Sequence, residues 1–168
     1  ISYPQERTIV INSAIELITR LELKFDVIAG TATAGIPHAA WLAHALNKPM
    51  VYVRAKAKAH GQGQQIEGAL PTGKKVLVIE DLVTTGGSLL NAVTALRNIE
   101  ATVSAGISIF NYGFTKTDDR LQAANFSLHS LTNTQSLLTI ARAQQLLSSA
   151  DIELIQHWQR NPTTWLSN

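Results

Sequence analysis

Glu80 and Asp81 stand side by side at the end of an apolar run, Val76-Leu77-Val78-Ile79, and lead into Leu82-Val83-Thr84-Thr85-Gly86-Gly87-Ser88. Two carboxylates can accept hydrogen bonds from sugar hydroxyls. A turn of small, hydroxyl-bearing and glycine residues exposes backbone N–H groups. The apolar pattern that follows it, Leu89, Leu90, Val93 and Leu96, marks a helix whose N-terminus adds partial positive charge. Together these parts suit a sugar phosphate: acids for the hydroxyls, amides and the Thr84, Thr85 and Ser88 hydroxyls for the phosphate. The same acids would stabilise a sugar carbon that becomes cationic in a transition state. The plainer reading is a solvated strand end with Ser88 as helix cap. A cap needs one residue, and two threonines with two glycines exceed it. No lysine lies in the turn, which separates it from the phosphate loops of ATPases and GTPases.

A second group lies upstream, in Arg54-Ala55-Lys56-Ala57-Lys58-Ala59-His60-Gly61-Gln62-Gly63, continuing through Ile66-Glu67-Gly68. A solvated lysine-bearing loop is the bland interpretation. The functional one is a mobile lid hinged at Gly61 and Gly63. Its cations Arg54, Lys56, Lys58 and His60 would meet negative charge developing on a departing anion, with water excluded. The wider stretch 55–73 holds four glycines, Pro71 and little periodicity. A long loop of this kind inside a domain is usually functional or disordered.

The elements that must position these groups alternate between strand and helix. Pro4 opens a helical pattern over 5–21. Asp26–Gly30 predicts a buried strand, Thr31–Gly35 a small-residue loop, 36–46 a helix stopped by Asn47-Lys48-Pro49, and Met50–Arg54 a second strand. Val76–Ile79 predicts the third strand, and Ser88 caps a helix to about Ile99. Thr102–Phe110 predicts a strand, followed by a helix near 115–125, a strand near 126–131 and helices near 134–148 and 151–160. This order indicates an α/β fold with a mainly parallel twisted sheet flanked by helices. In such sheets the ligand lies beyond the carboxyl ends of the strands. The Gly30 loop, Arg54 and Glu80–Ser88 all fall at that edge.

The bulk numbers set limits. The chain has 168 residues, 45% hydrophobic and 15% charged, enough for one domain with a core. The 14 basic and 12 acidic residues leave a net charge of +2, too little for a nucleic-acid stripe. With no cysteine, a disulfide, a Cys-ligated zinc and a thiol nucleophile are excluded. No apolar run has the length of a membrane span and no signal peptide is visible, so a cytoplasmic protein without membrane or nucleic-acid partners is expected.

The run from Val76 to Ser88 resembles the binding motif for 5-phosphoribosyl pyrophosphate (PRPP) of type I phosphoribosyltransferases. Three further segments narrow the resemblance to orotate phosphoribosyltransferases. Phe25–Ala40 is similar to their pyrophosphate-loop region, and the Arg-x-Lys-x-Lys-x-His-Gly…Ile-Glu-Gly pattern at 54–68 to their catalytic loop. Ile109–Phe114 resembles a segment of the forms typical of Gram-positive bacteria. The similarity spans nearly the whole chain. It implies a single phosphoribosyltransferase domain over 1–168 with a flexible catalytic loop at about 55–73. It implies transfer of phosphoribosyl from PRPP to orotate, giving orotidine 5′-phosphate and pyrophosphate in pyrimidine biosynthesis. Lys58, His60 and Asp81 carry over as catalytic. Arg54, Lys56, Lys58 and His60 carry over as pyrophosphate contacts, with Thr31, Ala32, Thr33 and Ala34 approaching through backbone N–H groups. Glu80, Asp81, Leu82, Val83, Thr84, Thr85, Gly86, Gly87 and Ser88 form the remaining PRPP site, and Thr84 is a weak orotate contact. Magnesium (Mg2+) would arrive with PRPP, with no direct protein ligand. A homodimer is implied, in which loop 54–68 completes the neighbour's site.

Two departures stand out. Family loops usually carry an acid between the lysine and the histidine, where this chain has Ala59. The family also has residues ahead of the Ser-Tyr-Pro segment that build a hood over orotate. This chain opens at Ile1, and those N-terminal hood elements are missing from it. The alternatives are a PRPP-binding paralogue that regulates or is inactive, or a phosphoribosyltransferase for another base.

Overall fold

The computed structural model describes residues 1–56, 65–160 and 162. Helix α1 (Pro4–Arg20) leads into β1 (Val27–Thr31), α2 (Gly35–Leu46) and β2 (Met50–Val53). A two-residue strand β3 (Ile66–Glu67) precedes β4 (Lys75–Val83) and α3 (Gly87–Asn98). The chain closes with β5 (Thr102–Asn111), α4 (Thr115–Ala123), β6 (Ser127–Asn133), α5 (Thr134–Ala143) and α6 (Ser149–Arg160). The six strands form one sheet in the order β3-β2-β1-β4-β5-β6. All pairings are parallel except β2 with β3.

Side chains on a strand alternate between faces, and β4 shows how this builds the core. Val76 and Val78 pack with Leu89, Val93 and Leu96 of α3. Leu77 and Ile79 pack with Ile11, Leu17 and Ile18 of α1 and Leu42 of α2 on the other face. A strand covered on both faces reads as a continuous apolar run, which is why this segment was legible as buried. Strand order reverses between β1 and β4: the chain moves outward to β2 on one side and to β5 and β6 on the other. That topological switch point opens a crevice at the carboxyl ends of β1 and β4.

Four boundaries differ from the expectation. β4 runs through Glu80 and Asp81 to Val83, because Glu80, Leu82 and Val83 remain paired with Ser108, Phe110 and Asn111 of β5. The acids therefore sit inside a strand rather than beyond one. The cap of α3 is Gly86 at φ 70°, with no side-chain capping bond, so Ser88 lies within the first turn. Only glycine adopts that backbone conformation without strain. β3 falls inside the stretch expected to lack strands, since two residues are too few to show a period. Finally, α5 ends at Ala143, where Gln145 takes a left-handed conformation. The Asn47 stop after α2 is as expected, with φ 49°.

Candidate active site

The crevice begins with a bond that joins its two walls. Thr31, the last residue of β1, donates from Oγ1 to Glu80 Oε1 at 2.6 Å and lies 3.1 Å from Ile79 O. Asp81 N donates to the same Glu80 oxygen at 3.2 Å. Glu80 is 6% exposed. Its burial, reinforced by the neighbouring Asp81 carboxyl and moderated by the Thr31 hydroxyl, pushes its pKa up to about 7. Asp81 is half-buried. The adjacent acids thus have unlike environments: one tied into the sheet and easily protonated, the other nearer solvent.

Beyond Thr31, residues 32–34 form the short link to α2, and the Ala32–Thr33 peptide is cis. Ala32 N–H donates to Val53 O at 2.9 Å, so it is held within the sheet. Among the described residues, neither the Thr33 nor the Ala34 N–H has a backbone or side-chain acceptor. Those two amides, rather than all four of 31–34, are free to meet a ligand. Gly35 permits the close seat of α2: a Cβ there would lie 2.7 Å from Ile79 O and would also strike Thr31 Oγ1. On the same helix, burial lowers the pKa of His38, opposed by the Asp81 charge. His38 Nδ1 is buried without a hydrogen-bond partner among the described residues.

The turn after β4 also carries unengaged amides. Thr84, Thr85 and Gly86 N–H groups donate to nothing among the described residues. The first N–H groups of α3 lack intrahelical partners by geometry. The carbonyls of the turn, by contrast, are all engaged. Thr84 O accepts from Thr117 Oγ1 at 2.7 Å, Thr85 O from Arg120 Nη1 at 2.6 Å, and Gly86 O from Leu90 N at 2.9 Å. A row of unengaged donors at a helix N-terminus is an anion site in both charge and hydrogen bonding. Leu82 is exposed, while the Val83 side chain is in the core and its carbonyl accepts from Tyr112 N at 2.9 Å.

The third wall holds the feet of the loop at 54–68. Arg54 N donates to Gln65 O, and Gln65 Nε2 returns a bond to Arg54 O, both at 2.8 Å. Arg54 Nη1 also meets Glu67 Oε1 at 3.3 Å. Asn91 Nδ2 of α3 donates to Ala55 O at 3.1 Å. Lys56 is exposed. Lys58, His60, Ala59 and the Gly61 and Gly63 hinges lie outside the described residues. A cavity of about 220 Å³ joins Thr31 and Ala32 to Arg54 and Ala55 and to Ser88 and Asn91. The fold therefore gathers three separate sequence segments around one space.

Asn91, Thr117 and Arg120 were not singled out from the sequence. Asn91 had a signal: it lies three residues after Ser88, hence on the same helix face. Thr117 and Arg120 had none, since their partners are carbonyls more than a strand and a turn away.

Residues 3–125 match the family model described as phosphoribosyl transferase domain. The chain is 45% identical to the orotate phosphoribosyltransferase of Listeria monocytogenes over 165 residues, covering 98% of this chain and 79% of that protein. It is 42% identical to the orotate phosphoribosyltransferase of Coxiella burnetii over the same shares. The crystal structure of orotate phosphoribosyltransferase from Aeropyrum pernix is similar with a TM-score of 0.75 at 28% identity, covering 87% of this chain and 80% of that one. The strand-borne acids, the amide-lined turn and these similarities agree, and the chain belongs to the phosphoribosyltransferase family, among the orotate phosphoribosyltransferases.

Proposed function

We propose that this protein transfers the phosphoribosyl group of PRPP to orotate, giving orotidine 5′-phosphate and pyrophosphate, as a step of pyrimidine biosynthesis. The observation that carries the reading is the junction of β4 and α3, where Glu80 and Asp81 stand two residues before a turn whose amides have no acceptor among the described residues. That junction matches both halves of a sugar phosphate.

In this reading the turn 84–88 takes the 5-phosphate, through its N–H groups and the Thr84, Thr85 and Ser88 hydroxyls. Glu80 and Asp81 address the ribose 2′- and 3′-hydroxyls. As the bond from ribose C1 to the pyrophosphate oxygen breaks, its electron pair leaves with pyrophosphate and C1 becomes oxocarbenium-like. The negative Asp81 stabilises that charge at close range. A nitrogen of the orotate ring then donates its pair to C1 and releases its proton to solvent. Thr33 and Ala34 amides, with Arg54 and Lys56, receive the departing diphosphate, and Lys58 and His60 complete that role from the lid. Thr84 contributes a weak contact to orotate.

Magnesium fits as a companion of the substrate. It prefers phosphate oxygens and waters with one or two carboxylates, and Glu80 and Asp81 are the carboxylates that would hold it beside the substrate. When bound, it spreads the charge developing on the diphosphate. Residues 1–168 act as one domain, and a homodimer lets the loop at 54–68 complete the partner's site. No helix among the described residues is long and apolar enough to cross a membrane, in keeping with a cytoplasmic enzyme.

The test mixes the protein with PRPP, magnesium and orotate and follows orotate absorbance. Loss of orotate with release of pyrophosphate is expected. Hypoxanthine or adenine consumed in its place would reject the substrate, and PRPP binding without turnover of any base would make the protein a sensor.

A further inference from the structure

The anion-binding turn is held by α4, a helix that supplies none of the residues lining the cavity described above. In a trans peptide unit the C=O of one residue and the N–H of the next point in opposite directions. A carbonyl pinned away from the cleft therefore aims the following N–H into it. Thr117 Oγ1 pins Thr84 O, which directs the Thr85 N–H; Arg120 Nη1 pins Thr85 O, which directs the Gly86 N–H. Both donors come from α4, on successive turns of one helix.

We infer that Thr117 and Arg120 are positioning residues that aim the turn's amides at the substrate's phosphate. The inference rests on the reading that this turn takes the 5-phosphate of PRPP. Thr117 is 1% exposed and its Cγ2 lies against Gly86, where an added Cβ would stand 3.1 Å from it. The hydroxyl therefore has one setting, fixed by packing. Its own N–H donates to Phe114 O at 2.8 Å, anchoring the first turn of α4. Arg120 makes no ion pair among the described residues. Its positive charge lies behind the turn and adds to the field that an anion meets. Both side chains bond to carbonyls of the turn and line no part of the cavity, so both act through the direction and polarity of the peptide units.

The experiment compares PRPP affinity by calorimetry with steady-state kinetics. Thr117→Val keeps the shape and removes the donor. Arg120→Met removes donor and charge from an accessible position. Each should raise the Kd and KM for PRPP about tenfold, in proportion to one lost charge-assisted or buried hydrogen bond. At saturating PRPP, kcat should stay within about twofold, because the lid and acids are untouched. Thr117→Ser should restore affinity, and Arg120→Lys should restore part of it. A purely structural role would lower Tm and the active fraction while leaving KM unchanged, and that outcome overturns the inference. Gly87→Pro is the direct control: it deletes one amide of the turn at a helix position that tolerates proline. If Gly87→Pro weakens PRPP and the two α4 variants do not, the brace is wrong and the phosphate turn stands. If all three bind PRPP like the parent, the turn is not the phosphate site and both readings fall.

Discussion

The turn at 84–88 and the loop rooted at 54–56 and 65–67 face the same cleft, yet they are built by opposite means. Every carbonyl from Thr84 to Gly86 is engaged, and its donors come from α3 and α4. The loop is secured at its feet, by the Arg54–Gln65 backbone pair, the Arg54–Glu67 ion pair and one bond from Asn91. One region offers fixed dipoles and the other offers charges on long side chains. The contrast fits the two ends of the substrate. A 5-phosphate keeps its charge through the reaction, so preorganised amides serve it throughout. A diphosphate gains charge as it leaves, and groups that matter most at that moment raise turnover more than binding.

The contrast breaks most readily at Lys58. Replacing it with alanine should lower kcat by about a hundredfold or more while PRPP affinity changes only a few-fold. Pre-steady-state and equilibrium measurements on the same sample separate the two. Unchanged turnover would remove the loop from the chemistry, whereas a loss of affinity alone would make it no different from the turn.

Glu80, at the seam of both regions, yields the next largest effect. Its pKa rises from 4.5 to about 7 in the fold because it is buried. Between those values the native state binds more protons than the unfolded chain, so this group makes stability fall as pH rises through that window and level off above it. The cost at pH 8 relative to pH 4 is about 2–3 kcal/mol. Glu80→Gln keeps an oxygen for Thr31 to donate to and cannot ionise. Urea unfolding at pH 5 and pH 8 should show the parent losing stability relative to this variant. Parallel pH profiles for the two proteins would mean that burial does not raise the proton affinity of Glu80 in the fold.

The smallest effect belongs to the feet of the loop. Glu67→Gln removes the charge opposite Arg54 in a pair whose side chains are 41% and 26% exposed. Such pairs are screened by solvent, and unfolding free energy should change by less than ~1 kcal/mol. A larger loss would show that the foot of the loop is as firmly built as the turn.

Much of this architecture was legible beforehand, for identifiable reasons. The strand–acid–turn–helix passage from Val76 to Ser88 lies on contiguous residues, and each part has a local signature in apolar run, acid, glycine and helical period. The Asn47 stop of α2 and the alternation of strands and helices are local in the same sense. The helix cap was misplaced by two residues because Ser88 is a good capping type, and Gly86 prevails through a backbone angle that composition does not reveal. The two-residue β3 has no periodicity to detect. Of the amides expected from 31–34, that of Ala32 is held by Val53, a pairing that requires β2 to lie beside β1.

Residue types and their order along the chain determined the α/β plan, the pair of acids carried by a central strand and the turn that follows, because these depend on covalent neighbours and on periods of two and 3.6. Tertiary structure decided which acid is buried, which amides face the cleft and what holds them there. Those properties arise where Thr31 meets Glu80 and α4 meets the turn, between segments separated by dozens of residues. Burial, carbonyl direction and proton affinity are set by such distant neighbours, and a linear pattern carries no record of them.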